Sequence, residues 1–235
     1  MPAPVEPRLF AIPAPPTSAR GLRTRAALVA AARAVFERMG FLDARLIDIT
    51  TEAQCSAGTF YNYFDSKEQI FSAVLEQAKE EMMHPGTPRV PDDADPATVI
   101  EASTRAYLIA YQRNAKLMGL MEQVAGISPE FRRLRHERAE AFVARNARSI
   151  ANLQARGLAD PEVDADLASR TLSGMISRVA FSYFVADVEL DEYPRADFDE
   201  IVRTAGRLWV NALRIPQSGA VGAVGVGGAD GEDQS

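Results

Sequence analysis

The sequence predicts an all-α protein of about nine helices, and three observations carry that prediction. Apolar residues recur at three- and four-residue spacing through nearly the whole stretch between residues 21 and 215, and strand-like alternation is absent there. Helix-start signals punctuate the same stretch. Ser66 with Gln69 has capping-box spacing, Asp95-Pro96 and Ser128-Pro129 each set a capping side chain before a proline, and Asp197 precedes Glu200 by three. Finally, 235 residues with 47% hydrophobic content can bury a substantial core in one or two domains.

Taken in order, residues 1–20 hold six prolines and read as a disordered N-terminal arm. Leu28, Ala31, Ala32, Val35 and Phe36 form the first apolar stripe, closed by Gly40. Leu46, Ile49 and Ala53 form a second, shorter stripe, and Phe60 with Phe64 a third. From Ser66 a fourth helix runs to about Met83. The segment HPGTPRVPDDAD, residues 84–95, is the clearest internal loop. Helices are then expected near 96–113, 115–125, 129–156, 164–186 and 197–214. Residues 216–235 are glycine-rich with an acidic end and should form a flexible, disordered tail. The expected division is a head over 21–66 and a larger helical regulatory and dimerisation domain over 67–215.

Composition excludes several function classes. Cys55 is the single cysteine, so no intrachain disulfide or Cys-rich metal site exists, and His84 and His136 are too few and too far apart for a histidine-based metal site. No span of about 20 apolar residues offers a membrane helix, and the proline-broken start supplies no signal-peptide core, so a cytoplasmic protein is expected. No nucleophile–base pair or phosphate-cradling glycine loop is evident, so neither an enzyme nor a cofactor is expected. The net charge of −6 argues against nonspecific nucleic-acid binding by the whole chain. Between Arg20 and Lys67, however, seven basic residues face five acidic ones, a local surplus of two.

Residues 46–64 have the layout of a helix-turn-helix. A helix of about two turns, Leu46 to Ala53, is followed by Gln54-Cys55-Ser56 and a second helix from Ala57. Ser56 is placed as N-cap, and the small residues after it let backbone approach a phosphate or base edge. Phe60 and Phe64 face inward, while Tyr61, Asn62 and Tyr63 project elsewhere. Periodicity alone equally allows a short packing helix with a wet aromatic edge, because helical hairpins are common.

The run LIDITTEAQCSAGTFYNYFDSKEQIF resembles the DNA-binding signature of the tetracycline-repressor (TetR) family, and TRAALVAAARAVFERMGF before it resembles that family's first helix. The resemblance covers about residues 23–75. It implies an operator-binding, homodimeric regulator with an N-terminal three-helix DNA-binding domain and a helical regulatory domain. By position it implies base-edge roles for Ala57, Gly58, Tyr61 and Asn62, and phosphate contacts for Ser56, Thr59, Tyr63 and Lys67. The chain departs from the family's pattern at Gln54, where glycine is usual, at Ile47, where a polar residue is common, and at Ala57, where a longer side chain is frequent. Arg45, just before the second helix, is a candidate for the missing phosphate contact, as are Arg23 and Arg25. Cys55 reads as a buried structural thiol. The alternative is a helical interaction module that has lost specific DNA binding.

In the regulatory half, the last two helices are apolar over more than one face and carry Gly174 and Trp209. The resemblance implies that these helices pair with their copies from a second subunit. Tyr107, Tyr111, Met118, Met121, Phe131, Phe142, Met175 and Phe181 are candidate walls of a ligand pocket, with Glu122 and Arg178 to orient the ligand. Such walls suit a mostly apolar small molecule: a lipid, a steroid-like or aromatic compound, or the acyl end of a coenzyme A thioester. The helix after Ser128 is arginine-heavy, with Arg132, Arg133, Arg135, Arg138, Arg145, Arg148 and Arg156; this is either a solvated face or a set that meets the thioester's phosphates, with Arg132, Arg133 or Arg135 expected to matter first.

Overall fold

The computed structural model describes residues 10–85, 94–186 and 196–216. Among them are nine α-helices and no strand: α1 (Ala19–Met39), α2 (Leu46–Glu52), α3 (Ala57–Tyr61), α4 (Lys67–Met83), α5 (Pro96–Arg113), α6 (Ala115–Ile127), α7 (Pro129–Ala155), α8 (Ala165–Phe181) and α9 (Phe198–Ala212). The expected starts are made by side chains that satisfy free amides of the first turn: Ser56, Ser66, Asp95, Ser128 and Asp197 each accept from one or more backbone N–H groups, and Ser18 and Asp164, which the sequence reading did not name, do the same for α1 and α8. Asp48 accepts the Arg45 N–H at 2.9 Å and so opens α2.

Two apolar clusters hold the chain. The first joins the head to the regulatory half. Phe36, Phe41 and Phe71 form an aromatic group with Phe131 of α7, whose ring lies 5.5 Å from both Phe41 and Phe71. The core is therefore continuous across residue 66, and α4 belongs to both halves. The second cluster lies between α5, α7, α8 and α9 and contains Ile150, Leu172, Ile176, Ala205, Trp209 and Leu213. No described helix is long and apolar enough to cross a membrane.

Two expectations need correction. The N-terminal arm is not free along its whole length: Phe10 stacks on Phe131 at 4.8 Å, and Ile12 packs on the same cluster. Pro16 sits where a Cβ on Gly21 would come within 2.8 Å, so the arm lies close against the start of α1. Residues 1–9, the middle of the 84–95 loop and the tail beyond 216 lie outside the described residues. The helix expected to run unbroken to 186 changes at Ser182 into a π-helical turn, Ser182–Ala186. That change sends Phe184 and Val185 to the first cluster, where Phe184 stacks with Tyr111 and Val185 fills the space a side chain at Gly119 would need.

Candidate nucleic-acid interface and ligand cavity

The head is built on two buried rings. Phe60 and Phe64 are fully buried and fix α3 against α1 and α2, which leaves the other side of α3 to solvent. The turn before α3 keeps the backbone for which glycine would be expected. Gln54 adopts φ +52°, Gln54 N–H donates to Thr51 O, and Cys55 N–H donates to Thr50 O. These two bonds close α2 as a Schellman cap with a non-glycine residue in the left-handed position, at a cost of roughly 1–2 kcal/mol. Cys55 is half-buried against the first cluster, and burial pushes its thiol up from the ordinary range.

On the solvent side, Ser56, Ala57, Gly58, Tyr61 and Asn62 are exposed, with Asn62 just past the end of α3. Tyr61 is 56% exposed, and its ring stands edge-on to Phe60, which holds the phenol outward. A Cβ on Gly58 would meet only Ser56 Oγ, at 3.7 Å, so nothing inside the fold requires a glycine there. Ser56 Oγ accepts the Thr59 N–H at 3.1 Å and lies 3.0 Å from Thr59 Oγ1, so both hydroxyls already have partners. Tyr63 is half-buried against the cluster. Arg45 projects into solvent beside Asp48, and Arg23 is exposed. The guanidinium of Arg25 lies 5.2 Å from the Phe64 ring centroid, and burial lowers its pKa.

Lys67 sits differently from the phosphate contact that the resemblance implies. Its Nζ donates to the carbonyls of Phe41, Leu42 and Ala44 at 2.8, 3.3 and 2.9 Å and lies over the Phe41 ring. Three donors meet three acceptors, so the ammonium ties the α1–α2 loop to the start of α4. Sequence spacing could not show this, because the acceptors lie more than twenty residues upstream.

The regulatory half contains a cavity of about 810 Å³ between α7 and α8 on one side and α5 and α9 on the other. Of the expected ligand residues, Tyr107 and Phe142 line it. Burial pushes the Tyr107 phenol up to about 12. Tyr111, Met118, Met121 and Phe131 are instead buried in the first cluster, where they fill space between helices. Met175 packs on the second cluster, Phe181 on the first, and the Arg178 guanidinium lies 5.7 Å from the Phe181 centroid; none of the three lines the cavity. Glu122 pairs with Arg135 at 2.6 Å, Arg133 with Glu130, and Arg132 donates to Ala125 O, so these side chains are engaged away from the cavity.

The two residues expected at a dimer interface both line this cavity. Trp209 is 9% exposed within its own chain, held by Ile150 and Leu213 of the second cluster, so its ring is buried before any second subunit is present. Gly174 has open space where its Cβ would lie. The exposed large apolar residues on the last two helices are Leu167 and Val179 of α8 and Leu208 of α9. The polar lining of the cavity includes Arg145, Arg148 and Arg156, which belong to the arginine-heavy helix visible in the sequence, together with Asn146, Asn152 and Arg170, which spacing did not flag. Arginine recurrence along α7 is the signal that points there, but Arg132, Arg133 and Arg135, the arginines expected at the ligand, lie on turns that do not line the cavity.

Residues 28–74 match the family described as bacterial regulatory proteins, tetR family. The HTH-type transcriptional regulator EthR of Mycolicibacterium smegmatis is 24% identical over 192 residues, which span 80% of this chain and 85% of that protein. Among solved structures, Salmonella enterica GusR superposes with a TM-score of 0.66 at 19% identity, covering 82% of this chain and 96% of that one. The fatty acid degradation regulator FadR from Bacillus halodurans gives a TM-score of 0.66 at 17% identity, covering 82% and 97%. At such identities the structural likeness speaks to the fold.

Proposed function

Because this chain belongs to the TetR family of bacterial transcriptional regulators, we propose that it is a homodimeric repressor released from its operator by a small molecule. The observation that carries the DNA-binding half is the exposed edge of α3. Gly58 has no steric reason to be glycine within the fold, and Ala57, Tyr61 and Asn62 stand exposed beside it. A backbone stripped of side chains next to a rigid phenol fits a surface that meets the floor of a major groove. Arg45 would contact a phosphate beside it.

A dimer follows from DNA geometry, since two recognition helices must reach half-sites roughly 34–36 Å apart. Leu167, Val179 and Leu208 are apolar side chains on α8 and α9 left exposed in the single chain, and they are the interface we infer. The cavity is the ligand site in this reading, with Tyr107 and Phe142 in its wall. A ligand that fits one spacing of the two heads better than the other shifts the population between them, by no more than its difference in affinity for the two. A regulator of this kind works beside the chromosome, so we read the chain as cytoplasmic.

A gel shift of the full chain against the DNA upstream of its own gene tests the reading. A specific complex is expected, and it should be lost with Tyr61→Ala. No specific complex with that DNA, from a folded dimer, would favour an interaction module that has lost DNA binding. Leu208→Glu with Leu167→Glu should yield monomers in sedimentation; an intact dimer would move the interface elsewhere.

A further inference from the structure

The wall of the cavity carries more positive charge than its partners neutralise. Its α7 side runs from His136 to Arg156, which is about 30 Å of helix. Residues along that whole length line the cavity, from buried Val143 and Ile150 to exposed His136, Arg148, Asn152 and Arg156. Arg145, Arg148, Asn152 and Arg156 follow one another by three or four residues, so they share one edge of the helix. Glu140 is occupied by Arg170, which donates to both its oxygens. Arg145, Arg148 and Arg156 have no carboxylate partner among the described residues, and Arg145 is half-buried. Across the cavity, the buried indole N–H of Trp209 has no acceptor among the described residues. The polar lining thus offers donors in excess, while Ile100, Phe142, Ile176 and Leu213 supply an apolar remainder.

Resting on the ligand-responsive reading above, we propose that the cavity takes an extended amphiphile whose carboxylate or phosphate head sits between Arg145 and Arg148. These two are three residues apart, close enough for both to reach one head group. Arg156, two turns further on, adds to the field without touching the head. The hydrocarbon lies along Phe142, Ile100 and Ile176.

Arg145 also connects the cavity to the head domain. Its Nη1 donates to the carbonyl of Met83, the last residue of α4, at 2.9 Å. Arg138, seven residues earlier on α7, donates to the Leu75 carbonyl. Helix α7 therefore holds the α4 main chain at two points, and only the Arg145 point opens on the cavity. Five residues, 62–66, separate the end of α3 from the start of α4. An anion competes well against a carbonyl for a guanidinium, because it brings a full opposite charge and can accept two parallel N–H···O bonds from the fork. Capture of Arg145 by the head group therefore loosens the far end of α4, and occupancy is felt at α3 through that helix.

Four probes with the same twelve-carbon chain test this: dodecanoate, dodecyl phosphate, dodecanol and dodecyltrimethylammonium. Each is titrated below its micelle concentration into the DNA-free full chain by calorimetry. At least one of the two anions should bind about tenfold or more tighter than dodecanol, with the ammonium weakest; which anion leads distinguishes a carboxylate from a phosphate ligand. Arg145→Gln and Arg148→Gln should each weaken the anion about tenfold while leaving dodecanol unchanged, and Arg156→Gln should do less. Arg148 is exposed and has no hydrogen-bond or ion-pair partner among the described residues, so its variant guards against a folding effect. Equal binding of alcohol and anion, preference for the ammonium, or no binding by any probe overturns the proposal. In gel shifts the tighter anion should release the wild-type protein from its operator and should fail to release Arg145→Gln. Anion preference without release would keep the cavity chemistry and overturn the relay through Arg145. Absence of operator binding altogether would defeat the regulator reading, and the calorimetry would still decide the cavity.

Discussion

The head and the cavity are both built from helices, yet they use their residues in opposite ways. The head is packed tight on Phe36, Phe60, Phe64 and Phe71, all fully buried, and its functional side is what remains exposed. The cavity is a place where packing stops: four helices from separate parts of the chain leave about 810 Å³ between them. In the head, contiguous residues do contiguous jobs. In the cavity, Ile100, Phe142, Ile176 and Trp209 meet only because α5, α7, α8 and α9 converge. A closed core punishes the loss of a side chain, whereas a cavity wall already tolerates missing volume.

The sharpest break between the two regions should come from matched truncations. Phe60→Ala removes a fully buried ring and should cost about 3–5 kcal/mol, abolishing operator binding with the fold. Phe142→Ala removes a half-buried ring at the cavity edge and should cost much less. Denaturant unfolding of both variants measures this; equal losses would mean that the cavity wall is as tightly packed as the head.

Next in size is Lys67. Loss of its three bonds to loop carbonyls should destabilise Lys67→Ala by about 1–3 kcal/mol in the absence of DNA. The salt dependence of operator binding should then change less than it does in Arg45→Ala, because a phosphate contact releases counterions and a carbonyl tie does not. An unchanged unfolding midpoint together with a flatter salt slope would return Lys67 to the DNA surface.

Gln54→Gly should stabilise the head by about 1 kcal/mol, since glycine meets no Cβ penalty at φ +52°. A destabilised variant would show that the Gln54 side chain makes a contribution larger than its strain. The smallest effect on stability is expected at Gly58. Gly58→Ala should leave unfolding within about 0.5 kcal/mol or shift it slightly upward, because its new Cβ meets only Ser56 Oγ at 3.7 Å. It should still weaken operator binding. A variant that binds as well as the wild type would remove Gly58 from the interface.

Legibility differed between the regions for physical reasons. Phe60, Phe64 and the Ser56 cap could be read from spacing because helical neighbours lie three and four residues apart. The Gln54 turn was flagged by its departure from glycine, and the structure keeps the left-handed backbone at that residue. The methionines failed as pocket markers. Met118 and Met121 are adaptable fillers, and filling is what they do in the first cluster. Arginine density along α7 was visible, but Arg132, Arg133 and Arg135 face solvent and acids, while Arg145, Arg148 and Arg156 line the cavity.

The sequence alone determined the approximate helix count, the caps at Ser56, Ser66, Asp95, Ser128 and Asp197, and the helix-turn-helix with its buried and exposed sides. All of these depend on forces that act within a few residues: side-chain caps on free amides, and periodicity that sorts one helix face from another. Only the tertiary structure decided that Lys67 reaches back to three carbonyls, that Trp209 turns inward, and that Arg145 joins the cavity to the end of α4. Those facts rest on how helices cross, and a crossing is set by the fit of many side chains at once, which no local pattern contains.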